Sequence, residues 1–372
     1  MTRRADLTAV VVSYRSASLL PDWLSTLHAG APELQIETVV VENESTPEEW
    51  SAVQSVPGFD RRLFLPGNPG YAGGLNAGLA EAGAPVFLLS NPDVLFEPGS
   101  LSRLVRTAHE VHGAVGPVLH FDPGGRWLLP PPEHETPAGE LTRLLAPHSE
   151  SLRRIRRRRE AEWIERVRTA THPIELSSLP GAIWVVTASA WERAGKLDEM
   201  FPLYFEETDW FSRAAARGVP IRLEPRAKVR HLFDRSGPGS AESRRRYGVS
   251  EQLYWRRYGG PAFNALRGIL GRLPRFSGGR EKSFDPLVDL SLPIDPPSGW
   301  NFSSDWILSP SPDLVPAVHA RVDCPLTGLD EIRRLLPEGR WFLARGSIDG
   351  DAQPVGYFDS PGAGIPDGQT TS

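Results

Sequence analysis

The stretch Leu7-Thr-Ala-Val-Val-Val-Ser-Tyr14 is a short, β-branched apolar run that ends in polar residues. Further apolar runs follow at 36–41 and 85–89, and segments with helical spacing separate them. Continuous apolar strands that alternate with helices indicate a parallel sheet covered on both faces. Right-handed crossovers then give a doubly wound α/β layout. This is the fold that the first half of the chain predicts.

Polar side chains close each of these apolar runs. They are Ser13, Tyr14 and Arg15, then Glu42, then Asn91 and Asp93. Ligands of doubly wound sheets bind beyond the carboxyl ends of the strands, so three strand ends predict one ligand site at one edge. Glu42 is suited to accept hydrogen bonds from a nucleobase or ribose, although capping of the next helix explains an acid there equally well.

The stretch Gly67-Asn-Pro-Gly-Tyr-Ala-Gly-Gly-Leu-Asn-Ala-Gly78 leads into a helix. Glycines let the backbone approach a diphosphate, and a helix N-terminus favours its negative charge. The candidate contacts are Asn68, Gly73, Gly74 and Asn76. The spacing is neither a dinucleotide fingerprint after the first strand nor a Walker A motif, so a flexible turn remains the alternative.

Three acids stand among aromatic residues in Phe201-Pro-Leu-Tyr-Phe-Glu-Glu-Thr-Asp-Trp210. At about 100° per residue, Glu206 and Asp209 share a helix face while Glu207 points elsewhere, which predicts different roles for the three. Together with Asn91, Asp93 and His231 they suggest a divalent metal and a general base acting on a phosphate ester. Acids that complement the helix dipole, and a satisfied histidine, are the alternatives.

Composition excludes several classes of protein. The chain has 372 residues, a net charge of −5 and a single cysteine, Cys324. These values argue against a nucleic-acid binder and a disulfide scaffold, and they favour a cytoplasmic protein. No apolar run approaches the roughly 20 residues of a spanning helix. The basic run Arg153–Arg159 is either a solvated helix face or a surface for anionic lipid at the inner face of a membrane.

Seven motifs, in this order, resemble family 2 inverting glycosyltransferases of the GT-A fold, in particular the rhamnosyltransferase-like branch. They are Val10–Tyr14, Val39–Asn43, Gly67–Gly78, Leu88–Asp93, Pro180–Ala182, Leu197–Asp209 and Val229–His231. The resemblance covers about residues 7–260 and implies a GT-A doubly wound mixed sheet. It also implies a nucleoside-diphosphate sugar donor, linked to dTDP or UDP, with Mg or Mn as cofactor. A hydroxyl acceptor, saccharide or lipid-linked, completes the expected partners.

The resemblance also assigns roles to residues. Ser13, Tyr14 and Glu42 would hold the nucleoside, with Gly181 also in the donor site. Asn91 and Asp93 stand at the family's metal motif, and His231 matches a histidine that completes the metal site. Glu207 matches the base, where the family usually has Asp, so that Glu206 or Asp209 are further candidates. The aromatics Phe201, Tyr204, Phe205 and Trp210 would shape an acceptor pocket, although core packing is favoured for at least two of them.

We predict a glycosyltransferase domain at 1–272, with a basic helical excursion at 130–169. A small β-containing module at 273–358, suited to bind acceptor or mediate homo-oligomerisation, and a disordered tail at 359–372 would follow. Two other functions fit the same residues. A nucleotidyltransferase would consume a nucleoside triphosphate and release pyrophosphate. A non-catalytic nucleotide-sugar-binding protein would explain Asn91 and Glu207 in place of the commoner aspartates.

Overall fold

A computed structural model describes nine segments of the chain. They are 5–80, 82–130, 136–232, 241–273, 305–310, 317–321, 329–336, 338–346 and 352–360. These residues cluster into two compact units. The first unit holds 5–119 and 170–265, and the second holds 120–130, 136–169 and the described residues from 266 onwards. Most of the predicted excursion at 130–169 therefore clusters with the C-terminal part of the chain.

The helices and strands are numbered here in chain order. The strands are β1 (Leu7–Ser13), β2 (Ile36–Glu42), β3 (Arg61–Phe64), β4 (Val86–Ser90), β5 (Val94–Phe96), β6 (Ala114–His120), β7 (Ile174–Glu175), β8 (Ile183–Thr187), β9 (Ile221–His231), β10 (Asp305–Ser309), β11 (Val318–Arg321), β12 (Gly339–Gly346) and β13 (Ala352–Ser360). The helices are α1 (Leu20–Gly30), α2 (Pro47–Ser55), α3 (Gly70–Leu79), α4 (Ser100–Val111), α5 (Pro137–Leu145), α6 (Glu150–Thr169), α7 (Ala188–Ala194), α8 (Glu206–Ala216), α9 (Ala241–Tyr258), α10 (Gly260–Leu270) and α11 (Leu329–Leu335). Short 3-10 helices lie at Ala17–Leu19 and Ala146–His148.

One nine-stranded mixed sheet organises the first unit. Its order is β3-β2-β1-β4-β8-β6-β9-β5, with β7 paired to β9. Strands β3, β2, β1 and β4 run parallel, whereas β8 pairs antiparallel with β4. Because Ser13 is in register with Glu42, and Val11 with Ser90, the polar ends of β1, β2 and β4 meet at one edge. The predicted common edge is therefore confirmed.

The all-parallel arrangement expected from the first half of the chain holds only as far as β4. Strand β8 comes from much later in the sequence, yet it lies between β4 and β6. It is buried along its whole length, so its apolar pattern contains no information on direction. The predicted fold class, a doubly wound mixed sheet with a small β-containing extension, is confirmed.

Aromatic side chains fill the core of the first unit near α8. The rings of Trp184 and Trp210 are 4.6 Å apart, and Trp191 stacks on Trp210 at 5.6 Å. Phe201 and Phe205 pack in a neighbouring buried cluster with Tyr254 and Trp255. Core packing, expected for at least two of the four aromatics near the acids, thus holds for Phe201, Phe205 and Trp210. Tyr204 is 43% exposed.

The second unit contains a four-stranded antiparallel sheet with the order β11-β10-β12-β13. Its core includes Trp127, Trp306, Trp341 and Phe358. The predicted tail from 359 begins too early, because β13 continues to Ser360, and residues 361–372 lie outside the described segments. In the part of the chain that the structure describes, no helix is both long and apolar enough to cross a membrane.

The basic helix α6 is not a uniform cationic surface. Arg153 is buried, where it donates to Glu150 and to the carbonyl of Ala146. Arg157 also binds Glu150 at 2.8 Å, and Arg158 binds Glu162 at the same distance. Arg153 therefore cannot contribute to the lipid surface expected at Arg153–Arg159, and two further arginines of this run are already bound to carboxylates of α6.

Candidate active site

Glu42 ends β2 as a fully buried carboxylate. Its Oε1 accepts hydrogen bonds from the backbone N–H of Ser45, at 3.0 Å, and from the Ser45 hydroxyl. Its Oε2 is buried and has no hydrogen-bond partner among the described residues. A buried carboxylate oxygen without a donor is costly, so this end of β2 is prepared to receive a donor group from a ligand.

The end of β1 lies beside Glu42. The Ser13 hydroxyl is 3.3 Å from that of Ser16, which also accepts from the backbone N–H of Tyr14 at 3.2 Å. Arg15 adopts a left-handed φ of 56°, and its guanidinium lies 5.3 Å from the centre of the Tyr14 ring. The turn therefore presents an aromatic ring and a cation at the edge where the parallel strands end.

The glycine-rich stretch serves the packing of α3 on the sheet. A Cβ at Gly78 would lie 2.4 Å from Cγ1 of Val10, and one at Gly74 would lie 2.9 Å from both Cγ atoms of Val12. A Cβ at Gly73 would come within 2.7 Å of Pro69. These close approaches account for the glycines without any ligand, so a diphosphate contact at Gly73 or Gly74 stays a prediction.

The two asparagines of this stretch also bind protein atoms. Asn68 accepts from the backbone N–H of Gly70 at 3.3 Å. Asn76 donates to the carbonyl of Leu197 and to Glu199, and its amide oxygen accepts from the N–H of Leu197. Asn76 therefore ties α3 to the segment that leads to α8, and this contact occupies both ends of its side-chain amide.

Asp93 and His231 meet although they are far apart in sequence. Strand β5 pairs antiparallel with β9, and Val94 is in register with His231. The Oδ1 of Asp93 lies 3.4 Å from Nε2 of His231, and the two side chains are 1% and 15% exposed. The backbone N–H of Asn91 donates to the carbonyl of Ala182 at 2.8 Å, which joins this turn to the start of β8.

A buried carboxylate beside an imidazole is a suitable pair of ligands for a divalent cation. Within the described segments, no group of three or more His, Cys, Asp and Glu side chains is arranged to hold a metal ion. Among the residues that the structure describes, Asp93 and His231 are the candidate ligands of those types, with the Asn91 amide as an oxygen donor. These residues would supply part of the coordination shell of a metal ion, and the phosphate oxygens of a donor would complete it.

Helix α8 begins from a strained backbone. Tyr204 and Phe205 both have left-handed φ values, 64° and 68°, a conformation that is rare for bulky residues. The next residue, Glu206, is 3% exposed, and its Oε2 has no hydrogen-bond partner among the described residues. Burial, and then the charge of Glu207, raise the pKa of Glu206 well above its usual range. Burial also raises the pKa of Glu207, against two hydrogen bonds from backbone N–H groups.

Glu207 lies against Gly181. A Cβ at Gly181 would be 2.8 Å from Cδ and 2.9 Å from Oε1 of Glu207, so only glycine leaves room for this carboxylate. The hydroxyl of Tyr71 donates to the carbonyl of Gly181 at 3.3 Å. Burial raises the pKa of Tyr71 well above its usual range, and the charges of Glu206, Glu207 and Asp93 raise it further. Tyr71 is thus within electrostatic reach of all three carboxylates.

Asp209 has a different environment. It is fully buried and accepts from Arg213 at 2.8 Å, from Arg257 at 2.5 Å and from the Tyr258 hydroxyl at 2.8 Å. Burial, and then the hydrogen bond to Asp209, raise the pKa of Tyr258 to about 12. With three donors on its carboxylate, Asp209 connects α8 to α9, which favours a positioning role over that of a base.

Sequence reasoning assigned Gly181 to the donor site but did not identify its contact with Glu207, and it gave Tyr71 no role. Tyr71 is the one aromatic residue in the glycine-rich stretch 67–78, and that contrast was the available signal. Its partner, Gly181, lies far away in sequence and reaches Tyr71 only because β8 inserts beside β4.

Two solved glycosyltransferases show low similarity to this chain. A mannosyltransferase from Pyrobaculum calidifontis, solved with GDP-Man and Mn2+, is 18% identical with a TM-score of 0.45, covering 72% of this chain and 69% of that one. GalNAc-T7, solved with UDP, GalNAc and Mn2+, is 14% identical with a TM-score of 0.49, covering 74% and 52%.

Two curated relatives are similar in sequence. An N-acetylglucosaminyl-diphospho-decaprenol L-rhamnosyltransferase of Mycobacterium tuberculosis is 28% identical over 242 residues, covering 60% of this chain and 75% of the relative. The low-salt glycan biosynthesis hexosyltransferase Agl10 of Haloferax volcanii is 25% identical over 225 residues, covering 58% and 64%. Residues 8–172 match the sequence profile of Glycosyl transferase family 2. The chain therefore contains a Glycosyl transferase family 2 domain and is a glycosyltransferase, as its ordered motifs predicted.

Proposed function

We propose that the protein transfers a sugar from a nucleoside diphosphate to a hydroxyl acceptor with inversion at the anomeric carbon. The observation that carries this proposal is the meeting of Asp93 and His231 at the edge where β1, β2 and β4 end. The Mycobacterium relative is named as a rhamnosyltransferase that acts on a lipid-linked sugar. A deoxyhexose donor and a lipid-linked or saccharide acceptor are therefore the first substrates to test.

In this proposal the strand ends hold the donor. The open Oε2 of Glu42 accepts from an N–H of the base, and the Tyr14 ring, just after β1, offers an aromatic surface at the same edge. Asp93, His231 and the amide oxygen of Asn91 would hold a Mg2+ or Mn2+ ion. When bound, that ion would neutralise charge on the leaving diphosphate, so that no protein acid need protonate it.

Glu207 is the proposed base. It is partly exposed, so an acceptor hydroxyl can reach it, whereas Glu206 is buried. Its pKa is raised towards neutral pH. A general base is most effective when its pKa lies near the pH at which the enzyme works. Removal of the acceptor proton during attack on the anomeric carbon leaves the proton on Glu207 and the bonding electrons on the diphosphate. Gly181 provides the space for this carboxylate.

The test combines donor, acceptor and metal. Purified protein is incubated with dTDP- and UDP-sugars and a set of hydroxyl acceptors, in Mn2+, Mg2+ or EDTA, and release of nucleoside diphosphate is measured. Transfer that needs the cation, with the product in the opposite anomeric configuration by NMR, is the expected result. Release of pyrophosphate from a triphosphate, transfer with retention, or full activity in EDTA would overturn the corresponding part of the proposal.

A further inference from the structure

Helix α10 leaves large apolar side chains exposed to solvent. None of its residues is buried, although Leu266 and Ile269 lie one turn apart on the same face. Their side chains are 43% and 61% exposed, and Leu273, in the turn that follows, is 40% exposed. Ile269 is the most exposed branched aliphatic side chain among the exposed large hydrophobic residues of the described segments.

From Leu266 onwards α10 clusters with the second unit, and a polar contact joins it to α5 there. Arg267 donates to Glu140 of α5 at 2.8 Å, and this carboxylate is 1% exposed. Arg143 donates to the other oxygen of the same carboxylate at 2.6 Å. The ion pair therefore faces inward while the neighbouring leucine and isoleucine face solvent. A helix in water normally buries its apolar side, so the exposed face of Leu266, Ile269 and Leu273 needs a cover.

The charge of the segment indicates what that cover is. The described residues 259–273 hold two arginines, Arg267 and Arg272, and no acidic residue, in a chain whose net charge is −5. Arg267 is bound to Glu140, whereas Arg272 is exposed beside the apolar face. A short helix with exposed aliphatic residues, flanked by arginines and without acids, suits an anionic lipid surface. A protein partner gives no comparable reason for the complete lack of acids.

We propose that the face formed by Leu266, Ile269 and Leu273 docks on an anionic membrane surface, with Arg272 at the headgroups. The aliphatic side chains enter the boundary between headgroups and acyl chains, and the arginine pairs with phosphate. This site differs from the basic run of α6, where Arg153 is buried and Arg157 and Arg158 are paired within the helix. The proposal does not depend on the proposed reaction.

Vesicle co-sedimentation of the full chain tests this docking. The probes are vesicles of phosphatidylcholine alone and vesicles that also contain phosphatidylglycerol. We expect binding only to the anionic vesicles, weakening as salt is added. Ile269→Glu should lower the affinity by at least about tenfold, because it places a charge at the apolar boundary. Because Ile269 is exposed, the variant should keep the melting temperature of the parent.

The matched control is Ile155→Glu on α6, where the isoleucine is also exposed, at 43%. It should bind vesicles as the parent does. Three results would overturn the proposal: no sedimentation of the parent chain, equal binding of the parent and Ile269→Glu, or a loss of binding in Ile155→Glu alone. Size-exclusion chromatography can give a fourth contradicting result. If the parent chain is a dimer that Ile269→Glu disrupts, and the parent does not bind vesicles, then a second copy covers this face.

Discussion

Two carboxyl groups one turn apart on α8 are both buried, yet their surroundings are opposite. Asp209 is bound by two arginines and a tyrosine hydroxyl. Glu206 has a buried oxygen without a hydrogen-bond partner in the described segments, next to the partly exposed Glu207. Burial alone therefore does not separate the two carboxyl groups, whereas the number of donors on each does, and buried polar atoms short of donors are typical of functional sites. The predictions below test this contrast.

The largest effect is expected for Glu207→Gln. Loss of a general base should lower kcat by about 10²- to 10⁴-fold, because the amide cannot take the acceptor proton. Thermal unfolding should change little, since Gln has the same shape. Glu192→Gln, an exposed acid on α7, is the control and should keep parental activity. Full turnover of Glu207→Gln would transfer the role of base to another group.

Asp209→Asn should show the opposite pattern. Arg257 and Arg213 would lose a buried charge partner, which costs on the order of 3–5 kcal/mol of unfolding free energy. The measurement is denaturant unfolding, with activity of the remaining folded fraction assayed below the transition. Asp198 binds the same Arg257 at 2.7 Å but is 25% exposed, so Asp198→Asn should cost at most about 1 kcal/mol. A folded but inactive Asp209→Asn would place Asp209 in the chemistry.

The pH dependence of stability should test the environment of Glu206. The pKa of Glu206 is raised in the folded protein, so the folded state binds more protons than the unfolded state between the two pKa values. Stability from this group is complete below the unfolded pKa and is lost as pH rises through the folded pKa. Melting temperatures from pH 5 to pH 8 should therefore fall more steeply for the parent than for Glu206→Gln. Parallel curves would contradict the raised pKa.

The smallest effect is expected for Tyr71→Phe. This variant keeps the ring and removes the hydrogen bond to the Gly181 carbonyl, a net change of about 1 kcal/mol. If Tyr71 positions the backbone beside Glu207, kcat should fall about fivefold while KM for the donor stays the same. The acid limb of the pH–rate profile should also shift. An unchanged kcat and pH profile would limit Tyr71 to a packing role.

Local sequence signals predicted the polar edge of the sheet well. The runs that became β1, β2 and β4 are continuous and apolar, and polar residues follow each of them, so burial and the strand ends could be predicted together. The ordered motifs brought Asp93, His231 and the α8 acids into one hypothesis before their distances were known.

Long-range pairing limited the rest of the prediction. The position of β8 depends on its contacts with β4 and β6, and the pairs Tyr71–Gly181 and Gly181–Glu207 follow from that position. The glycines of α3 were assigned to a ligand because their closeness to Val10 and Val12 cannot be deduced from spacing. Helix α10 was missed because glycines at 259, 260 and 268 and a proline at 261 are helix-breaking signals.

The left-handed pair at Tyr204 and Phe205 has an evolutionary consequence. It fixes where α8 begins, and Asp209 fixes the helix against α9 only one turn later. Inserting or deleting one residue between these two points would rotate the intervening acids by about 100° relative to the anchored helix. Homologues that keep the same chemistry should therefore keep the length of 204–209 unchanged, while tolerating gaps in the surface turns of the same domain.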